Sequence, residues 1–79
     1  MDAAENSVTT VKWAIHFLHA GSALLQFEEE VPEWFDDSSA MAALGRALKA
    51  GGLTDTRSRT FVPTHAIRKV EWSIRVSPR

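Results

Sequence analysis

Residues 8–19 read Val-Thr-Thr-Val-Lys-Trp-Ala-Ile-His-Phe-Leu-His, and their alternation decides the fold class. Val11, Trp13, Ile15 and Phe17 share one face of an extended chain, and Thr10, Lys12, Ala14 and His16 share the other. β-Branched and aromatic residues pack well on a pleated surface, so a strand is predicted over 8–19. Ala20-Gly21-Ser22 reads as a turn, and residues 23–28 return as a second strand. The apolar residues of that strand, Ala23, Leu25 and Phe27, are all odd-numbered. One buried face therefore requires odd residues opposite odd residues. A three-residue loop satisfies this by setting Phe17 opposite Leu25 and Ile15 opposite Phe27. A five-residue loop satisfies it with Trp13 opposite Phe27 and Ile15 opposite Leu25. A two-residue loop would place Gln26 against Ile15 and is rejected. Gly21 suits the left-handed position of the three-residue form, which is the expected one.

Further along, residues 28–37 read Glu-Glu-Glu-Val-Pro-Glu-Trp-Phe-Asp-Asp. Pro32 excludes a central strand there. Asp37, Ser38 or Ser39 is positioned to cap a helix over 39–50, with its acids at the positive N-terminus. Met41, Leu44 and Leu48 form its apolar stripe, and Ala40, Ala43 and Ala47 allow close packing. Arg46 and Lys49 lie near its C-terminus, and Gly51-Gly52 ends it. Residues 53–58 read as a polar loop, 59–62 as a short strand and 63–66 as a turn. Residues 67–76 are a long strand with Val70, Trp72, Ile74 and Val76 facing inward and Glu71, Ser73, Arg75 and Ser77 facing out.

The predicted fold is α+β: a small antiparallel sheet of three or four strands with one helix packed on one face, in the order β-β-α-β-β. A small open β-barrel is the alternative. Residues 1–7 are expected to be a flexible tail and 8–79 a single domain. The expected core is Val11, Trp13, Ile15, Phe17, Leu25, Phe27, Leu44, Leu48, Val70, Trp72 and Ile74.

Seventy-nine residues exclude a Rossmann domain or a TIM barrel, and the absence of cysteine excludes disulfides and thiolate metal sites. Unbroken apolar runs reach only five residues, Ala40 to Leu44, against the ~20 a membrane helix needs. The polar start does not read as a signal peptide, so the expected setting is the cytoplasm of a cell or of an infected host. Residues 1–39 hold eight acids and one base, a charge of −7; residues 40–79 hold two acids and eight bases, +6, and the sum is the net −1. Such asymmetry bears on partners.

Residues 62–70, Val-Pro-Thr-His-Ala-Ile-Arg-Lys-Val, are similar over nine residues to the V-x-K-H-A-I-x-x-V segment joining the last two strands of the Sm-like RNA chaperone family. The resemblance implies a strand–turn–strand shape. Thr64 stands where that family carries the lysine that acts with the histidine on uridine.

No hydrolase, phosphate-loop or zinc-protease motif is present. His16 and His19 point to opposite faces of a strand, which is poor metal geometry. The acids of 28–37 lack the spacing of an EF-hand loop. The expected function is that of a small non-catalytic protein that binds another protein: a regulator, a phage-type host modulator or an assembly factor. It needs no cofactor. Its candidate anchors are Trp34 and Phe35, flanked by Glu30 and Glu33. The first alternative is nucleic-acid binding by Arg57, Arg59, Arg68, Lys69 and Arg75. The second is a small metal-dependent enzyme built on His16, His65 and Glu33. A homodimer is also expected. A strand over 8–19 is roughly 40 Å long, more than the returning strand covers, and would leave an open edge beside Trp34 and Phe35.

Overall fold

The computed structural model describes residues 7–19 and 24–78. In chain order the elements are β1 (Ser7–Phe17), β2 (Leu24–Val31), α1 (Asp37–Ala50), β3 (Gly52–Asp55), β4 (Thr60–Pro63), a 3-10 turn at Thr64–Ala66 and β5 (Ile67–Pro78). The predicted α+β order holds. Residues 1–6 of the expected tail lie outside the described residues, and Ser7 already belongs to β1.

Alternation shapes the main sheet. Thr9, Val11, Trp13 and Ile15 of β1 are buried in succession, with Val11 and Ile15 fully so. The sheet runs β2-β1-β5, antiparallel throughout. Its helix-side rows are Leu25–Ile15–Val70, Phe27–Trp13–Trp72, Glu29–Val11–Ile74 and Val31–Thr9–Val76. Parity is therefore as predicted, but the register is that of the five-residue loop, with Trp13 opposite Phe27. The loop residues 20–23 lie outside the described residues. In this register three large rings, Phe27, Trp13 and Trp72, share one row. The Trp13 and Trp72 centroids are 6.3 Å apart and tilted by 52°.

β2 continues to Val31, beyond the expected end at Glu28. Alternation makes this possible. Glu28 and Glu30 point to the open face, and Glu29 accepts from Trp13 Nε1 at 3.4 Å. Both ends of β1 are thus covered, and β1 is the central strand. The expectation of an open β1 edge is corrected: the open edges belong to β2 and β5.

α1 begins two residues earlier than predicted. Its N-cap is Asp36, whose Oδ1 accepts from the Ser39 N–H at 2.9 Å and from Ser39 Oγ at 3.0 Å. Asp37, a predicted cap, instead accepts from Trp72 Nε1 at 3.0 Å and ties the helix start to β5. Ala40 is buried on the cluster of Val11 and Trp13, with Phe27, Phe35, Leu44 and Ile74 packed around it. Leu48 of the expected core is half-buried, as are Phe17 and Leu25. At the C-terminus Gly51 takes φ 128°, and Thr64 Oγ1 caps the Leu48 carbonyl at 2.7 Å.

Residues 53–58 are not all loop. β3 pairs with β4 in a separate two-stranded sheet, Leu53 opposite Val62. Asp55, the last residue of β3, is buried and accepts from the Arg57 N–H at 3.2 Å and from Ser58 Oγ at 2.7 Å. Arg59, expected to start a strand, sits in that turn with φ 55°. Val62 is a buried residue missing from the expected core. The 3-10 turn gives residues 62–70 a strand–turn–strand shape. Its two strands lie in different sheets, which departs from the barrel segment they resemble.

Two expected outcomes follow locally. Gly45 is exposed mid-helix, and nothing lies within 4 Å of where a Cβ would stand. Gly45→Ala should stabilise the protein by about 0.5–1 kcal/mol, read from the urea midpoint. The Ser39 N–H holds the Asp36 carboxyl below its ordinary range. A depressed folded value means the cap contributes fully above the ordinary carboxylate pKa of about 4 and fades as the pH falls through the folded value. Asp36→Ala should therefore lower the melting temperature at pH 7, and the gap should close in acid. A gap unchanged at pH 2 would locate the stabilisation elsewhere.

Candidate protein-interaction surface

The sheet has one covered face and one open face. Rows on the open face are Glu30–Thr10–Arg75, Glu28–Lys12–Ser73, Gln26–Ala14–Glu71 and Leu24–His16–Lys69. Carboxylates lie along β2, and Lys69 and Arg75 lie along β5. His16 Nε2 and Glu71 Oε1 are 2.6 Å apart, with Lys69 Nζ 4.0 Å from the same oxygen. The bond from His16, then the charge of Lys69, holds the Glu71 carboxyl below its ordinary range.

Among the described residues of this face, His16, Glu71 and Lys69 form the side-chain cluster. Ser73 stands opposite Lys12, four residues along β1 from His16, which is about 13 Å at strand spacing. Glu33 lies beyond Val31, which faces Thr9, seven residues from His16 or roughly 20 Å away. His16, His65 and Glu33 are thus not brought together. The five basic candidates are divided as well. Arg57 and Arg59 lie in the β3–β4 connection, and Arg68 and Lys69 begin β5. Arg75 is six residues beyond Lys69, about 20 Å along the strand. On the open face Lys12, Lys69 and Arg75 balance Glu28, Glu30 and Glu71, three against three.

The four expected partner-binding residues also separate. Phe35 packs inward against the core, and its N–H donates to the Pro32 carbonyl at 3.0 Å. Trp34 points outward and is 71% exposed. Glu33 is exposed in the same turn, and Glu30 lies on the open face across Thr10.

Trp34 has company that alternation alone hides. Val76, expected to face the core, is 65% exposed, and Met41, expected on the helix stripe, is 63% exposed. Val76 lies in the row of Val31, where β2 ends and the Pro32–Asp36 connection begins. That connection crosses the sheet to Asp37, which is bonded to Trp72 of β5. Met41 is one helical turn beyond Asp37, on the same side of the helix. The three most exposed large apolar residues of the described chain are thus on β5, on the connection leading from the Val31–Val76 row to Asp37, and one helical turn beyond Asp37. Ala40 takes the inward position next to Met41, and β5 runs past the helix at Val76. Neither effect is visible without element lengths.

The two sheet edges are unlike. β2 presents three successive carboxylates, Glu28, Glu29 and Glu30, and is followed directly by Pro32, features that discourage strand addition. β5 offers twelve residues, no main-sheet neighbour on its outer side among the described residues, and a proline only at its last position.

No helix among the described residues is long and apolar enough to cross a membrane. No protein family, curated protein or solved structure matches the chain.

Proposed function

We propose that this chain works by binding protein, as a non-catalytic module of a regulator, phage-type host modulator or assembly factor, and that β5 is the contacting edge. Val76 lies on it, and Trp34 and Met41 flank Asp37, which is bonded to Trp72 of the same strand. Exposed apolar residues are unremarkable singly, but a cluster of them beside an unpaired strand edge marks an interaction site. The carrying observation is that the three most exposed large apolar residues, at 71%, 65% and 63%, lie on β5 itself and on the connection and helix start that Asp37 ties to Trp72 of β5. An added strand would gain backbone hydrogen bonds along β5, and its side chains would cover the apolar flank.

A photo-crosslinking residue placed at Trp34 or at Val76, in cells of the native host, tests this reading. Phe61 of β4, also an exposed aromatic at 58%, is the control position. Discrete protein adducts are expected from positions 34 and 76, at least fivefold above those from 61. Equal yields at the three positions, or no adducts, would overturn the assignment.

A further inference from the structure

We infer that the strand β5 accepts is β5 of a second copy, in an antiparallel pair centred on Ser73; this rests on the reading of β5 as the contacting edge. Antiparallel self-pairing of an edge strand is isologous, and its two-fold axis stands normal to the sheet. The result is one six-stranded sheet with both helices on the same face.

Charge selects the register. Centring on Ser73 sets Glu71 opposite Arg75 of the second copy, twice by symmetry, and Lys69 opposite Ser77. On the helix side it sets Val70 opposite Val76 and Trp72 opposite Ile74, which covers the exposed Val76. Centring on Trp72 would oppose Lys69 with Arg75. Centring on Glu71 would oppose the two Glu71 carboxylates. Centring on Ile74 would leave Glu71 facing Ser77. Directly opposed unlike charges stabilise a strand pair and like charges destabilise it. The Ser73 register pairs the glutamate with a cation and opposes no like charges. The other register that does so, centred on Val70 with Glu71 opposite Lys69, would pair only residues 67–73 and leave Val76 uncovered. It spans residues 69–77, stopping short of the irregularity beside Phe17 and of Pro78. The outer edges of the six-stranded sheet are then the two β2 strands, whose carboxylates oppose further addition.

The chain has no cysteine, which gives a direct test. Residues directly opposed in an antiparallel pair have Cα atoms about 4.5–5.5 Å apart, within the roughly 4.4–6.8 Å of a disulfide. Ser73→Cys should oxidise almost completely to a linked dimer at micromolar concentration, and Arg75→Cys, which faces Glu71, should not. Sedimentation in 0.15 M salt should give twice the 8.8 kDa chain mass. Arg75→Glu should weaken association at least tenfold, and Glu71→Arg with Arg75→Glu should restore it to within threefold. Circular dichroism of each variant reports folding separately. A concentration-independent mass near 8.8 kDa, a mass above two chains, equal linking at positions 73 and 75, or a folded double variant that stays monomeric overturns the pairing. A monomer that still crosslinks to other proteins from positions 34 and 76 overturns self-pairing and leaves the protein-binding reading standing; a monomer with no adducts overturns both.

Discussion

Trp13→Ala should remove a large share of the chain's stability. Trp13 is 6% exposed at the centre of the three-ring row, beneath α1. Its ring meets Trp72, and its Nε1 donates to Glu29. Truncating a buried tryptophan costs about 3–5 kcal/mol. At roughly 0.05–0.15 kcal/mol per residue, a domain of this size has about 4–12 kcal/mol in total. Trp72 is only half-buried, so Trp72→Ala should cost less, although it also releases Asp37 at the helix start. Trp72→Phe keeps a ring and removes only the N–H, and should be the mildest of the three. Urea denaturation followed by far-ultraviolet circular dichroism ranks them. A Trp13→Ala protein with the parent's midpoint would mean that the core lies elsewhere.

Gly52→Ala should be nearly as damaging, for a backbone reason. Gly52 has φ 154°, and an added Cβ would stand 2.2 Å from the Val62 carbonyl oxygen and 2.8 Å from Pro63 Cα. Both are backbone atoms of β4, the strand with which β3 pairs. Relief therefore requires the strands to part, which would disturb the buried Val62. The conformational strain alone is about 1–3 kcal/mol, and the overlap adds to it, so a loss of at least about 3 kcal/mol is expected. Gly51→Ala bears strain at φ 128° but meets nothing within 4 Å, and should lose clearly less. The three glycine variants should thus rank as Gly45→Ala stabilised, Gly51→Ala moderately weakened and Gly52→Ala severely weakened. Equal losses at 51 and 52 would contradict the close approach of β3 and β4.

The alternation of β1 and β5 makes the sheet legible in the sequence, and the Leu44–Leu48 spacing does the same for the helix. The hairpin register was not legible, because three- and five-residue loops both keep odd residues opposite odd. The helix start moved because Asp36, Asp37, Ser38 and Ser39 are all competent caps. The choice fell to Trp72, which takes up Asp37. β3 was hidden because Leu53-Thr54-Asp55 carries no alternation of its own and becomes a strand only against Phe61 and Val62. Of the candidate surface, Trp34 was legible as an aromatic in an irregular acidic segment. Met41 and Val76 were not, since periodicity assigns a face but not where the covering layer ends. Strand order was the decisive missing quantity: consecutive β1 and β2 look like a hairpin with a bare flank until β5 returns to close it.

The central claim is that β5 is the pairing edge, and backbone amide hydrogen exchange tests it most directly. An edge strand unpaired on its outer side protects only alternate amides, whereas a strand with neighbours on both sides protects them throughout. β1 should be protected along its length at every concentration. β5 should be protected throughout residues 69–77 at 100 μM, and should lose protection at alternate positions on dilution below the dissociation constant, while β2 keeps its alternate pattern at all concentrations. Alternate β5 amides that exchange as fast at 100 μM as at the lowest concentration measured would contradict the account.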